Sequence, residues 1–542
     1  MQTNEELIAQ WRDEPAPLLG ILHAFHDRDR YISEDALRDI AVGLRMPLAE
    51  LFGTVTFYHH FARKPQGQEV PRVCTGPVCR LQGGLEILDT LKSEGATAMA
   101  CAGRCDDCVP VLKGHHVLTG KHADMLSANP TSLPPPYPGE KEECIFAEIR
   151  APKRNTLEGY QQTGGYEGLT HAISNLTPQE VIETLKESQL AGRGGAGFPT
   201  GTKWESVLNA PGQPKTIVCN ADEGEPGCFK DRVILDYDPH AIIEGMTLAA
   251  YATGATRGFI YLRYEYPETL KTLERALSEA ETKGFIGDSI LGKHFDFHIF
   301  IRRGAGAYVC GEEGSLLNSL EGKHPFPRNR PPYPVTHGFE NLPTVVNNVE
   351  TLAAAAQILK HGAAWYKNLS YGNNQTGTKI ISLSGDIQRP GNYEVPFGLP
   401  LEKLLYEWAG GPNEDRSIQA ITSAGLSGGF IGEKELDITI DEPSFQKVGA
   451  MLGAGGIMVF DDTRDMHDVA HNAMEFFAEE SCGKCFPCRI GTHRLTELLS
   501  EPLHAESKKI ISEIGTVMKQ TSACGLGTAA PNITESLMRL TT

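Results

Sequence analysis

Apolar residues recur at helical spacing near both ends of the chain. Between residues 18 and 25, leucine, isoleucine and phenylalanine side chains share one face of a predicted helix. Ser33 is a suitable N-cap for the next helix, because its hydroxyl can accept from an unpaired amide. Residues 466–477 repeat the apolar pattern. We therefore predict helices across 1–62 and 451–542.

The centre of the chain instead contains short apolar runs bounded by glycine, proline and asparagine, which predict strands. Helical patterns separate several of these runs, as in an α/β fold. The predicted strands are 70–73, 216–219, 259–262, 298–301 and 379–384.

Changes in these patterns divide the chain into six parts. Prolines are concentrated between residues 133 and 138 and predict an extended, semi-rigid linker. The parts are a helical segment over 1–62, a small α/β unit over 63–128, the linker over 129–159, a large α/β block over 160–372, a mostly β unit over 373–450 and a helical region over 451–542.

Composition excludes several classes of protein. The 542 residues are 40% hydrophobic and 22% charged, as in globular domains, and the formal net charge is −19. This charge argues against nucleic acid or an anionic membrane as a partner. The sequence contains neither a membrane-length apolar run nor a secretory signal. We therefore expect a cytoplasmic protein without membrane insertion, whose thiols are reduced.

Eight of the 13 cysteines form two groups of four. In the C-terminal group, a C-x2-C-x2-C run with a distant fourth cysteine predicts a [4Fe–4S] cluster. In the N-terminal group, C-x4-C and C-x3-C spacings favour a [2Fe–2S] cluster, with zinc as the alternative. The predicted ligands are Cys482, Cys485, Cys488 and Cys524 for [4Fe–4S], and Cys74, Cys79, Cys101 and Cys105 for [2Fe–2S]. Most of the remaining five are predicted to be packing residues: Cys108, Cys144, Cys219, Cys228 and Cys310.

A glycine-rich stretch over 192–204 is the centre of the largest block. Glycine permits positive φ and lets a phosphate approach main-chain amides, and Lys203 can add a full charge. The glycines also match G-x-G-x-x-G, but that fingerprint follows a strand, whereas Val181–Glu187 predicts a helix. We therefore predict a phosphate cradle of another design. A surface loop without a ligand is the alternative.

Three further polar turns lie in this block: two follow predicted strands, where α/β folds place their ligands, and the third opens a predicted helix. They span 220–227, 302–313 and 347–351, and carry asparagine, carboxylates and glycine. Taken singly, each is explained as a turn or a helix cap. Together they offer more hydrogen-bonding groups than a phosphate needs, and they predict a flat, heteroatom-rich ligand such as a flavin.

These motifs together resemble the flavoprotein subunit of respiratory NADH dehydrogenase (complex I), and residues 1–128 resemble its thioredoxin-like [2Fe–2S] partner subunit. The resemblance implies an α/β multidomain protein: N-terminal helices with a thioredoxin-like [2Fe–2S] domain, a Rossmann-like FMN domain, a β-grasp domain and a C-terminal helical bundle with the [4Fe–4S] cluster. Such a fusion through a linker is similar to the diaphorase subunits of NAD-linked formate dehydrogenases and hydrogenases.

Matching motif positions imply the cofactor contacts residue by residue. Hydride transfer between cofactors requires no nucleophile or general base from the chain, so we name no catalytic residue. FMN would contact Gly192, Arg193, Gly194, Lys203, Asn220, Asp222, Glu223, Tyr308, Gly311, Glu312, Asn347, Asn348 and Thr351. NAD(H) would contact Gly195, Phe198, Glu225, Glu313, Arg330 and Tyr333, with Glu225 beside the nicotinamide.

The chain has no predicted site for a second substrate, so a partner subunit must exchange electrons with the [4Fe–4S] cluster. The fusion and the Cys524–Gly527 ending favour the β subunit of an NAD-dependent formate dehydrogenase, whose α subunit carries molybdenum or tungsten and Fe–S clusters. The diaphorase subunit of an NAD-reducing hydrogenase and the complex I input module are alternatives. A non-catalytic zinc scaffold is the alternative from another class.

Overall fold

The computed structural model describes residues 2–65, 69–372, 375–413 and 415–540. Its first part is helical, and the Ser33 hydroxyl accepts from the amide of Ala36, which confirms the predicted cap. These helices share a buried core with Phe259 and Tyr261 of a later strand. They are α1 (Asn4–Trp11), α2 (Leu18–Asp29), α3 (Glu34–Gly43) and α4 (Leu48–Phe57).

A small α/β unit follows. Its elements are β1 (Arg72–Cys74), α5 (Pro77–Leu81), α6 (Gly84–Thr90), a 3-10 turn (Leu91–Glu94), β2 (Thr97–Met99), β3 (Pro110–Lys113), β4 (His116–Thr119) and a second 3-10 turn (Ala123–Met125). The strand order is β2-β1-β3-β4, in which β1 pairs parallel with β2 and antiparallel with β3. Strands β3 and β4 pair antiparallel as a hairpin.

The predicted linker is shorter than expected. Residues 129–143 contain no helix or strand, and Arg150 donates to the carbonyls of Pro134 and Pro135. From Cys144 onward the chain is buried in the core of the next domain. The linker therefore lies against the folded protein, and its predicted second half belongs to that domain.

The largest domain contains a parallel sheet. Its elements are α7 (Leu157–Gln162), α8 (Glu167–Asn175), α9 (Pro178–Ser188), α10 (Thr200–Asn209), β5 (Lys215–Ala221), α11 (Lys230–Tyr237), α12 (Pro239–Thr253), β6 (Ala255–Leu262), α13 (Pro267–Thr282), β7 (His298–Arg303), α14 (Glu313–Leu320), α15 (Pro334–His337), β8 (Thr344–Asn348), α16 (Val349–His361) and α17 (Ala363–Asn368). Short 3-10 turns are Ile290–Gly292, Tyr308–Gly311 and Phe339–Asn341. The strand order is β7-β6-β5-β8 and every pair is parallel. Helix α9 precedes the glycine-rich stretch, as predicted, and begins with a Thr177–Glu180 capping box.

A second sheet belongs to the next domain. Its elements are β9 (Thr378–Gly385), β10 (Gly391–Pro396), a π-helix (Lys403–Trp408), β11 (Ile418–Thr422), β12 (Phe430–Gly432), a 3-10 turn (Glu433–Glu435), α18 (Glu442–Lys447) and β13 (Gly456–Asp461). The order is β10-β9-β13-β11-β12, with β13 parallel to β9. Assigning all of 451–542 to helices was therefore wrong for β13, which lies at the centre of this sheet. The predicted boundary at residue 373 falls outside the described residues.

The C-terminal region is otherwise helical, as predicted. Its helices are α19 (Met466–Glu479), α20 (Phe486–Leu499), α21 (Ala505–Thr521), α22 (Gly525–Ala529) and α23 (Pro531–Leu540). The apolar stripe of α19 is buried in a core that also includes Val78, Cys101 and Cys105 of the N-terminal unit. Among the helices of the described ranges, we find none long and apolar enough to cross a membrane.

Candidate active site and cysteine clusters

The polar turns converge at the carboxyl ends of β5 and β8. Register pairs Asn220 of β5 with Asn348 of β8, so both turns begin at the same edge of the sheet. The glycine-rich stretch closes on itself through the Gly192 amide, which donates to the Phe198 carbonyl at 2.9 Å. Gly195 and Gly197 have φ of 118° and 65°, values that favour glycine. The loop therefore enters α10 beside the sheet edge.

Several predicted FMN contacts meet where β8 ends. A β-carbon at Gly194 would lie 3.0 Å from Cβ of Asn348, so the two backbones approach closely. The indole of Trp204 donates to Oδ1 of Asn347 at 2.8 Å, and Nζ of Lys203 donates to the Val346 carbonyl at 3.0 Å. The hydroxyl of Thr351 accepts from the amide of Arg193 at 2.9 Å.

Asp222 provides the sharpest test of whether this site fits a flavin. Its Oδ2 is buried and has no hydrogen-bond partner among the described residues. Its neighbour Asn220 donates to the Gly311 carbonyl at 2.8 Å, which ties this turn to the turn that starts at Tyr308. An unpartnered buried carboxylate oxygen on this turn fits a ligand with hydrogen-bonding edges, as FMN has.

The protein already engages two of the predicted FMN-contacting side chains. The guanidinium of Arg193 donates to the hydroxyl of Tyr366 at 2.7 Å and stacks over Phe397. The carboxylate of Glu223 accepts from the amide of Asp231 at 3.0 Å. These contacts fix the directions of both side chains within the protein. Asn348 is similar, since its side chain caps α16 and donates to Asp231.

The predicted NAD(H) contacts lie along an open edge. Phe198 and Tyr333 are 50% and 54% exposed, which is unusual for large apolar rings. Glu313 lies 3.0 Å from Arg330 and 3.5 Å from Lys203, and Arg330 also contacts Glu312. This edge therefore combines exposed rings with paired charges, features that suit a stacked, partly charged ligand.

Glu225 is enclosed rather than exposed, and sequence reasoning missed the loop that encloses it. Its carboxylate accepts from the amides of Leu426 and Ser427 at 2.8 and 3.0 Å. It also accepts from the hydroxyls of Ser427, at 2.9 Å, and Tyr308. Burial raises the pKa of Glu225 above its ordinary value, and the hydrogen bonds from these donors offset only part of that rise. The β11–β12 loop holds Glu225, and its glycine-rich run over 425–429 was the available signal.

The four C-terminal cysteines line one cavity together with Val309 and Pro327. Cys485 and Cys524 are the N-caps of α20 and α22. Burial raises the pKa of Cys488 to about 12 and that of Cys524 to about 11. Metal binding displaces the protons of cysteine ligands, and four cysteines that line one cavity fit a metal cluster.

The four N-terminal cysteines are also brought together. Sγ of Cys101 and Sγ of Cys105 are 3.4 Å apart, and hydrogen bonds among the thiols raise the pKa of Cys74, Cys79 and Cys105 and lower that of Cys101. Cys108, one of the five cysteines outside the predicted groups, packs against the core around these thiols, with its Sγ 3.9 Å from that of Cys79. The turn after Cys105 brings it beside the group.

Arg263 connects the N-terminal cysteine loop to the candidate flavin site. Its buried guanidinium donates to the carbonyl of Cys101 at 2.7 Å and to the carbonyl of Glu223, and pairs with Glu265. The turn beginning at Asn220 and the turn beginning at Cys101 therefore share one cation. The sequence offered no signal for this residue.

Asp222 makes a pH-dependent prediction for the flavin-free protein. Burial raises its pKa to about 8, so the folded state opposes its ionisation. Below the pKa that Asp222 has in the unfolded chain, the carboxyl is protonated in both states and does not change the free energy of unfolding. Above that pKa, the free energy of unfolding falls by about 1 kcal/mol per pH unit until the pH reaches about 8. We expect the D222N variant to gain stability over wild type progressively from pH 5 to pH 8. Thermal unfolding of both proteins measures this difference, and a pH-independent difference would contradict the prediction.

Four models of known protein families match separate regions of this chain. The Nuo51 FMN-binding domain matches residues 185–357, the NADH-ubiquinone oxidoreductase-F iron-sulfur binding region matches 468–540, the thioredoxin-like [2Fe-2S] ferredoxin model matches 4–112, and the SLBB domain matches 380–429. With the site above, these matches define the class: an NAD(H)-dependent flavoprotein oxidoreductase with FMN, [2Fe–2S] and [4Fe–4S] sites. The predicted fold class and cofactors are confirmed.

Individual relatives identify the family. The chain is 46% identical to an NADH-quinone oxidoreductase subunit of Rhizobium meliloti, over 65% of this chain and 83% of the relative. It is 33% identical to NAD-reducing hydrogenase HoxS subunit alpha of Cupriavidus necator, over 97% and 90%. A crystal structure of NAD+-reducing [NiFe]-hydrogenase in the H2-reduced state superposes with a TM-score of 0.82 at 30% identity, covering 97% of this chain and 91% of that one. The chain belongs to the family of these flavoprotein subunits.

Proposed function

We propose that the chain is the diaphorase subunit of an NAD-linked complex and exchanges electrons between NAD(H) and a partner subunit. The observation that carries the proposal is that two adjacent residues, Tyr308 and Val309, connect the candidate dinucleotide site to the C-terminal cysteine cavity. The hydroxyl of Tyr308 donates to Glu225, and the next residue, Val309, lines the cavity of the C-terminal cysteines. FMN, when bound, supplies the ring that exchanges a hydride with nicotinamide and single electrons with a cluster.

The proposal gives each side of the site a separate task. Asn220, Asp222 and Gly311 lie at the buried sheet edge, and we assign them to FMN with the other predicted FMN contacts. Phe198 and Tyr333 lie at the exposed edge, where a diffusing dinucleotide can enter. The chain's own contribution is orientation of both ligands and exclusion of water, because no residue is needed as a base.

The identity of the partner is the finer part of the proposal. The sequence favours a formate dehydrogenase with a molybdenum or tungsten α subunit, and the fusion of a [2Fe–2S] unit to a flavoprotein unit supports a subunit of that kind. The relatives that span nearly the whole chain are named as NAD-reducing hydrogenase subunits, which supports the hydrogenase alternative. Other relatives are named as NADH-quinone oxidoreductase subunits, but they cover about two thirds of this chain.

We expect the isolated, FMN-loaded chain to reduce ferricyanide with NADH and without a partner. The physical reason is that the proposed flavin and dinucleotide contacts all lie on one polypeptide. The measurement is NADH-dependent ferricyanide bleaching under anaerobic conditions, with flavin and iron contents determined for the same sample. A folded, flavin-replete sample without this activity would exclude the diaphorase assignment.

Purification with the native partner separates the candidate complexes. Molybdenum or tungsten together with formate-dependent NAD+ reduction supports the formate dehydrogenase assignment. Nickel together with hydrogen-dependent NAD+ reduction assigns the chain to a hydrogenase. Quinone reduction without either metal assigns it to the complex I type. The three results exclude one another, and each leaves the diaphorase chemistry of this chain unchanged.

A further inference from the structure

A largely buried group of potential metal ligands lies between the N-terminal helices and the flavin domain, and it includes none of the cysteines. We call it the histidine cluster: His23, His26 and Asp27 of α2, and His60 of the segment after α4. One ring nitrogen of His26, one of His60 and one carboxylate oxygen of Asp27 all lie within 4.8 Å of one another. The flavin and cluster assignments use none of these residues.

The histidine cluster concentrates unpaired polar atoms. Nε2 of His26, both ring nitrogens of His60 and Nδ1 of His23 are buried without a hydrogen-bond partner among the described residues. Buried polar atoms in folded proteins are nearly always paired with protein, water or an ion. Four unpaired nitrogens in adjacent rings therefore point to a ligand, rather than to a solely structural stack of aromatic rings.

Protonation does not supply the partners that these nitrogens need. Burial holds the pKa of His23 and His60 well below the ordinary histidine value. Burial also lowers the pKa of His26 to about 4. Burial therefore favours the neutral form of these rings, in which each keeps one nitrogen lone pair, the form that binds a metal.

His23 is already oriented as metal-binding histidines are. Its Nε2 lies 2.9 Å from the carbonyl oxygen of Gly304, which only accepts, so Nε2 carries the proton and Nδ1 carries the lone pair. A ligating imidazole typically donates its other N–H to a backbone carbonyl or carboxylate in this way. The centroid of its ring lies 5.1 Å from that of His60, so His23 stands beside the trio, outside the 4.8 Å group of ligand atoms.

We propose that the histidine cluster binds one zinc ion through His26, Asp27 and His60, with His23 completing the ligand set. Imidazole nitrogens and a carboxylate oxygen, four in number, are typical zinc ligands, whereas the Fe–S sites of this chain are built from thiolates. Asp27 supplies the anionic ligand. It also contacts His115 at 3.1 Å and Arg303 at 3.6 Å, which fix the carboxylate beside the rings.

The position of the histidine cluster indicates what the ion does. The amide of His60 donates to the carbonyl of Ala305 at 3.0 Å, and His23 contacts the carbonyl of Gly304. Residues 304–306 begin the turn that continues through Tyr308 to Glu312. A zinc ion joining α2 to His60 would therefore fasten the N-terminal helices to the base of the candidate flavin turn.

The test is zinc analysis of the intact holoprotein with two ligand variants and one matched control. The ligand variants are D27N and H60N. The control is H59N, because His59 is the neighbouring residue and its side chain is 55% exposed. We expect about one zinc per chain in wild type and H59N, and at least about a tenfold loss in D27N and H60N, with iron and FMN contents unchanged.

Zinc K-edge absorption identifies the ligands, since zinc captured by an empty cysteine site would show sulfur at about 2.3 Å instead of nitrogen and oxygen at about 2.0 Å. Added zinc should also raise the unfolding temperature of chelator-treated wild type but not of D27N. Absence of zinc with no stabilisation, zinc retained in D27N, or sulfur coordination would each overturn the proposal. If H60N fails to retain iron and FMN, D27N alone decides the result.

Discussion

Replacing Cys488 by alanine should stop electron transfer to the partner while leaving the reaction of NADH with ferricyanide nearly intact. Cys488 is 5% exposed and lines the same cavity as the other three C-terminal cysteines. Removing one of four thiolates leaves the cubane without a complete ligand set. We expect iron to fall from about six to about two atoms per chain, with loss of the [4Fe–4S] EPR signal.

The matched control is C219A. Cys219 is equally buried, but it lies inside β5 and outside both cysteine groups. We expect C219A to keep both EPR signals and the partner-linked rate within about twofold of wild type, since it removes only a small buried group. The ligand assignment is contradicted if C488A retains about six iron atoms per chain and the [4Fe–4S] EPR signal.

Replacing Lys203 by alanine should weaken FMN binding by about ten- to a hundredfold, the effect of losing one charge-assisted hydrogen bond of about 1.5–3 kcal/mol. The ammonium is held by the Val346 carbonyl and by Glu313, so it is poised at the predicted phosphate cradle. Titration of flavin-free protein with FMN, followed by fluorescence quenching, measures the dissociation constant.

K186A is the control for Lys203. Lys186 pairs with Glu205 on the neighbouring helices, and so tests a nearby charge that does not reach the sheet edge. We expect its FMN affinity to equal that of wild type. Equal affinity for K203A and wild type would instead place the phosphate at another part of the loop.

The parts predicted well from sequence are those fixed by local spacing. The C-x2-C-x2-C run, the glycine-rich stretch and the three polar turns are each contiguous in sequence. The chemistry of their side chains can therefore be recognised without knowing the fold. β13 was missed because a short apolar run at 456–461 looks alike in a strand and a buried helix. Its parallel pairing with β9 joins positions that are far apart in sequence.

The direction of a side chain also cannot be predicted from the local sequence pattern. The motif position of Arg193 predicts a flavin contact but not the direction of its side chain, and its guanidinium turns toward Tyr366 and Phe397. The enclosure of Glu225 by Leu426 and Ser427 depends on two domains meeting, as does the bridging position of Arg263. Such contacts have no local pattern in the sequence.

The linker over 129–143 has a consequence for kinetics. If the two units were separate subunits, they would dissociate at concentrations below their dissociation constant. The contact between Cys101 and Arg263 would then form by second-order association. A covalent tether instead sets a local concentration on the order of millimolar, whatever the dilution. Anchoring by Arg150 narrows the volume that the tethered domain can explore. Rebinding of the N-terminal unit to the flavin domain is therefore first order. The fraction of N-terminal units that are docked does not depend on the protein concentration.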